Sequence, residues 1–283
     1  KLNSEMISSS MPGVSTIIPS GCTNTFSGTS ASTPIVCGVV ALMLEANKEL
    51  KWRDVQMILA LTSTRNDPDH WSWLINGAGY RHSSVYGFGR INAEEAVKMA
   101  REFETLPDQI TDTAEVEFDA DISSIPLNVP IQFTSAISFI ENVMVAVYFD
   151  HKNCGNLEIV LKSSHGTESI IKTPCLDKGM NTFSSYPLFS RQFFGESAEG
   201  TWTLTIVDRQ PLGSGIFYGA DLQIYGFNHQ DRKFEQNALN GSKFEIKQDS
   251  SKFVLKAPSS VKKGEKLTMT GSISHVMVSF SPF

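Results

Sequence analysis

The stretch Gly28-Thr29-Ser30-Ala31-Ser32-Thr33-Pro34, followed directly by Ile35-Val36-Cys37-Gly38-Val39-Val40-Ala41-Leu42-Met43-Leu44, decides how the rest of the chain is read. A loop of small residues runs straight into an apolar helix. Serine at such a junction faces the unpaired N–H groups of the helix start, where negative charge is favoured. That suits a nucleophile whose reaction builds an oxyanion. Pro34 fits the first helical turn, where a missing N–H costs nothing. The helix beyond it is apolar on nearly every face, which predicts burial through the centre of a domain. The plainer reading is that Thr29 and Ser30 only cap a helix, because hydroxyl side chains are favoured there for that reason alone.

Outward from this point the chain divides by rhythm. Helical periodicity runs over Pro34 to Ala46, Trp52 to Leu61 and Ala93 to Phe103. From about residue 114 the period becomes that of strands, with runs at Ile140 to Phe149, Leu157 to Leu161, Thr201 to Val207 and Ile216 to Tyr225. Short strands separated by Gly, Asn, Pro and Ser predict a sandwich or jelly roll. Residues 104–113, with Pro107 and two aspartates, read as a linker. Residues 228–283 hold nine Lys/Arg against five Asp/Glu, a net of +4, and read as a tail or a small module.

The 283 residues suffice for about two domains. A hydrophobic fraction of 41% and a charged fraction of 19% predict packed cores. The formal charge of −6 gives no basic face for nucleic acid. No apolar run approaches the ~20 residues that span a bilayer, and the first residues carry no signal-peptide pattern. The chain opens on Lys1, which reads as a cut in a longer precursor. Four cysteines show no metal-ligand spacing, so no metal residues are assigned. Cys154 and Cys175 flank a strand pair and are placed to close a local disulfide, as suits a secreted protein.

Three segments together resemble one family. Residues 28–34 match the subtilase serine signature, Gly-Thr-Ser-x-Ser/Ala-x-Pro. The run from Leu44 to Gln56, Leu-Glu-Ala-Asn-Lys-Glu-Leu-Lys-Trp-Arg-Asp-Val-Gln, looks like the corresponding segment of kexin, furin and related proprotein convertases. Tyr86-Gly87-Phe88-Gly89-Arg90-Ile91-Asn92-Ala93, with Ser83 or Ser84 before it, is similar to a third segment of the same family. The strand-rich part, with Gly200 to Asp208 and Gly219 to Gly226, resembles the P domain that follows the catalytic domain there.

The resemblance implies an α/β, partial subtilisin-like three-layer domain over 1–103 and an all-β jelly-roll P domain over 114–227. It implies a calcium-dependent serine endopeptidase of the secretory pathway, acting on proprotein or peptide substrates after basic residues and held in check by a propeptide inhibitor. Ser30 corresponds to the nucleophile, with its own N–H as one oxyanion donor, while Gly28, Thr29 and Ser27 line the substrate approach. Cys22 corresponds to a cysteine paired with one further upstream, and Cys37 reads as a free packing residue of the buried helix. Trp52, Arg53, Asp54 and the Gly87/Gly89 turn carry over as structural.

The family order is Asp, His, Asn, Ser, yet neither aspartate nor histidine precedes Ser30. Activity is therefore expected only with an upstream segment bearing both, where the calcium sites are expected too. His165-Gly166-Thr167 imitates the histidine motif of the family, but it follows the serine and lacks the motif's continuation. Two other readings stand beside the protease: a non-catalytic binding or assembly protein that kept the P domain, and a carbohydrate- or protein-binding jelly roll.

Overall fold

The computed structural model describes residues 28–175, 182–210 and 214–228; Cys22, Ser27 and the 228–283 module, apart from Asn228, lie outside them. The described residues form two compact units, 28–72 with 84–105, and 73–83 with 106–228.

The first unit is helical, with α1 (Thr29–Ala46), α2 (Trp52–Thr62) and α3 (Ala93–Glu102). Both α1 and α2 pack on α3, whose inward side is the alanine pair Ala96 and Ala100. Small residues there let the helices approach closely. Asn92 caps α3 by accepting the Glu95 N–H at 3.1 Å, and Arg101 sits in its last turn, as the helix dipole favours. The end of α3 is closed from α1: Asn47 Nδ2 donates to the carbonyls of Ala100 and Phe103 at 2.9 and 3.2 Å. These carbonyls would otherwise lack partners. At the start of α2, Asp54 is buried and accepts the Lys51 N–H at 2.7 Å, an acidic N3 residue reaching back to the cap.

Gly89 fixes the turn before α3. Its φ of 119° is a glycine conformation, and a Cβ there would stand 2.4 Å from the Thr64 carbonyl oxygen. That contact is part of a bridge in which Thr64 and Arg90 exchange two backbone hydrogen bonds of 2.8 Å.

The expectation for α1 needs correction. Ala31, Ser32, Val39 and Met43 are buried, but Leu42 is 40% and Leu44 39% exposed. Only one stripe of the apolar helix is covered, because among the described residues of this unit no sheet lies on its other side. Cys37 is accordingly exposed and unbonded. By length and composition alone α1 meets the measure of a membrane span, a measure that core helices also meet.

The second unit is a sandwich of two four-stranded antiparallel sheets. The strands are β3 (Ile110–Ile122), β4 (Leu127–Phe133), β5 (Phe139–His151), β6 (Leu157–Lys162), β7 (Glu168–Lys172), β8 (Thr182–Ser190), β9 (Gly200–Asp208) and β10 (Gly215–Phe227), in sheet orders β3-β10-β5-β8 and β4-β9-β6-β7. Ile110 to Thr113 of β3 pair with Gln223 to Gly226 of β10, so the sheet begins inside the 104–113 stretch read as linker. Alternating residues turn inward: Val143, Val145, Val147 and Phe149 from β5 meet Trp202, Leu204 and Ile206 from β9 in one core. Trp202 is fully buried, and its indole N–H donates to the Ala198 carbonyl at 2.9 Å. The proposed Cys154–Cys175 bond is absent: Cys154 Sγ is turned to the His151 carbonyl at 3.5 Å, and Cys175 is exposed.

This unit also holds a small hairpin, β1 (Trp73–Ile75) and β2 (Arg81–Ser83), from within the stretch read as 1–103. Asn76 builds its turn, accepting N–H groups from Ala78 and Tyr80 at 3.1 and 2.9 Å through Oδ1. The same side chain docks it, donating from Nδ2 to the carbonyls of Gln192 and Phe194 at 2.9 and 2.7 Å. Tyr80 lies against Gly195, where a Cβ would meet the ring at 2.2 Å, and packs edge-on to Phe194.

Candidate active site

The site is built by the start of α1. Gly28 is the N-cap, with φ 88° and ψ −171°, a conformation that L side chains rarely adopt. No atom lies within 4 Å of the place a Cβ would occupy, so the need for glycine here comes from the backbone and not from crowding. The Gly28 carbonyl accepts the N–H groups of Ala31 and Ser32 at 3.1 and 3.3 Å, and Ser32 Oγ also points to it at 3.3 Å. This tight turn lifts Ser30 to the outside, where it is exposed.

Ser30 N–H lies at the second position of the helix, ahead of the first carbonyl that a helical N–H can reach. Among the described residues it has no hydrogen-bond partner, a position from which an N–H can serve an oxyanion together with the helix dipole. Since the helix begins at Thr29, Pro34 lies past the first turn, where sequence reading had placed it. Its missing N–H removes the regular partner of the Ser30 carbonyl four residues back. Thr29 is exposed beside Ser30, and its carbonyl accepts the Thr33 hydroxyl at 2.9 Å. Among the described residues no histidine or carboxylate hydrogen-bonds to Ser30.

His165 sits in the β6–β7 turn with Gly166 at φ 89°. Its neighbours are Ser164, Gly77 and the buried carboxylate of Glu196. Among the described residues no three His, Cys, Asp or Glu side chains gather as metal ligands. Sequence reading passed over the Asn76-Gly77-Ala78-Gly79 turn. Its composition announces a turn, and only the partner surface is hidden from the sequence.

Comparison with known proteins finds two family matches along the chain. Residues 3–89 match the Subtilase family and residues 140–224 the Proprotein convertase P-domain. Proprotein convertase subtilisin/kexin type 6 of Rattus norvegicus is 34% identical over 252 residues, 82% of this chain and 27% of that protein. Endoprotease bli-4 of Caenorhabditis elegans is 32% identical over 239 residues, 76% of this chain and 24% of that protein. The chain thus spans about a quarter of the length of these curated relatives. A crystal structure of a serine protease of Aeromonas sobria superposes with a TM-score of 0.65 at 24% identity, covering 73% of this chain and 45% of that one, which shows the shared fold.

The chain belongs to the subtilases. Within them it is of the kexin/furin, proprotein convertase type, a subtilase segment followed by a P domain.

Proposed function

We propose that the chain is the C-terminal part of a serine endopeptidase and that Ser30 is its nucleophile. The observation that carries this is the geometry at the start of α1: a glycine-capped helix presents an exposed serine in its first turn, at the positive end of the dipole. In the reaction Ser30 Oγ attacks a peptide carbonyl as a histidine removes its proton, and the Ser30 N–H receives the negative oxygen. The histidine, its aspartate partner and the second oxyanion donor come from an upstream segment, covalently continuous or separate. Without them the rate falls by orders of magnitude, to what binding and oxyanion stabilisation alone supply.

The kinship supports further detail. Substrates are proproteins cut after basic residues, calcium is bound upstream, a propeptide acts as inhibitor, and the enzyme works in the secretory pathway. Gly28 and Thr29 contact the substrate strand, a role to which Ser27, outside the described residues, is also assigned by the motif. The exposed side of α1, with Leu42 and Leu44, is the surface that the upstream segment covers. Labelling with a fluorophosphonate tests the reading. Reaction at Ser30 is expected when the upstream segment is present and not in the 283-residue chain alone. Absence of labelling in both would favour a binding or assembly role for the P domain.

A further inference from the structure

Gly77, at the tip of the β1–β2 hairpin, is held by a buried carboxylate. Its N–H is shared between Thr167 Oγ1 at 2.8 Å and Glu196 Oε1 at 2.9 Å, and the Thr167 hydroxyl donates to the same Glu196 oxygen. A Cβ on Gly77 would stand 2.4 Å from His165 Cβ, so the hairpin is pressed directly on the β6–β7 turn. Glu196 is 1% exposed, and its second oxygen, Oε2, is buried without a hydrogen-bond partner among the described residues. A buried carboxylate oxygen left in this state is costly. The nearest cationic candidate is His165, whose Nδ1 lies 4.0 Å from Oε2.

The hydrogen-bond pattern fixes where the proton sits on that ring. The Ser164 hydroxyl donates to the Glu199 carbonyl at 2.7 Å, so toward His165 Nδ1, 3.2 Å away, it acts as acceptor. Nδ1 therefore carries hydrogen, on the side of the ring that faces Glu196. The vacant position is Nε2, on a side chain 39% exposed. A proton from water reaches it without opening the core and places a full positive charge beside the buried carboxylate.

Among the described residues the surroundings do not supply that charge already. Glu199 Oε2 accepts the Ser135 N–H at 2.9 Å, Lys162 is paired with Glu168 at 2.8 Å, and Arg191 is drawn to Glu141. His82, on β2, is held neutral by burial and by Arg191. Tyr80 carries no charge there, burial pushing its phenol well above the usual range.

We propose that His165 and Glu196 form a proton-gated clamp on the Asn76–Gly77 turn, holding the hairpin to the sandwich more tightly when His165 is charged. Histidine changes charge between about pH 5 and 8, so the clamp distinguishes neutral from mildly acidic surroundings. The hairpin lies inside the segment matched to the Subtilase family while its anchor lies in the P-domain body. The clamp is therefore a point at which acidity acts on the join between the two sequences, and it does not depend on Ser30 being a nucleophile.

The test is amide protection of residues 76–80 in the full 283-residue chain, the slowing of exchange relative to the intrinsic rate, expressed as the ratio of wild type to His165→Gln. The ratio is expected to be about two- to fivefold at pH 5.5 and to fall to about one at pH 8, the size of a partly exposed ion pair. His165→Lys, charged at both pH values, should keep its protection at both. In a Glu196→Gln background the His165→Gln effect should vanish. A ratio that is the same at both pH values, or a His165→Lys chain that behaves like His165→Gln, overturns the proposal. The two His165 variants decide it even if Glu196→Gln fails to fold.

Discussion

The sandwich closes on itself, whereas the helical unit does not. Both sheets of the sandwich spend their inward residues on one another, and Trp202 and its neighbours are sealed from water. In the helical unit α1 is equally apolar but covered along one stripe, with Leu42 and Leu44 in the open. Apolarity in a sequence states that a surface is to be covered and not what covers it. The sandwich should therefore be indifferent to an upstream segment, and the helical unit and its serine should depend on it.

The sharpest break is at Ser30. With the upstream segment present, Ser30→Ala should abolish fluorophosphonate labelling and lower peptidase turnover by more than about a thousandfold, measured against unchanged melting. Next is Trp202→Ala, which empties the core where the sheets meet and should cost about 3–5 kcal/mol in urea denaturation of the sandwich. The loss should be the same with and without the upstream segment. A loss that changed with it would show that the sandwich is not self-sufficient.

Acid should then act on the sandwich unit through His82. Burial, and after it the charge of Arg191, pushes His82 down to about 4 from the model-peptide value of 6.5. Between those values the unfolded chain binds a proton that the folded one refuses, so stability falls as pH falls through that window and is flat above it. At about 1.4 kcal/mol per unit the full loss is about 3 kcal/mol. Urea midpoints between about pH 7 and 4 would show it, and His82→Asn should flatten the curve. The smallest effect is expected in the helical unit, where Asp54→Ala removes the acceptor of the Lys51 N–H and should cost about 1 kcal/mol.

The strands and helices were largely legible. Ile140 to Phe149 and Ile216 to Tyr225, read from their period, lie inside β5 and β10. The serine signature and its glycine were legible as a motif, and the structure adds the φ of 88° that explains the glycine. Long-range choices were not. Two three-residue strands carry no period that says which surface they lie on, so Trp73 to Ser83 was read with its sequence neighbours. His165 was visible as an imitation of a catalytic motif, while the carboxylate beside it, Glu196, is thirty-one positions away in a different turn. The exposed side of α1 was unreadable for the reason already given.

The excursion of the chain through the hairpin has a consequence for how this molecule is divided. The chain enters the sandwich unit at residue 73, leaves it at 84 and enters it again at 106. A cut in the backbone near residue 104 would leave the earlier part still tethered through an eleven-residue loop gripped by Asn76 and Glu196. Transplanting residues 106–228 alone would leave that grip empty. The border between the two modules is a stitch and not a joint, and it is inherited or lost as a pair of segments.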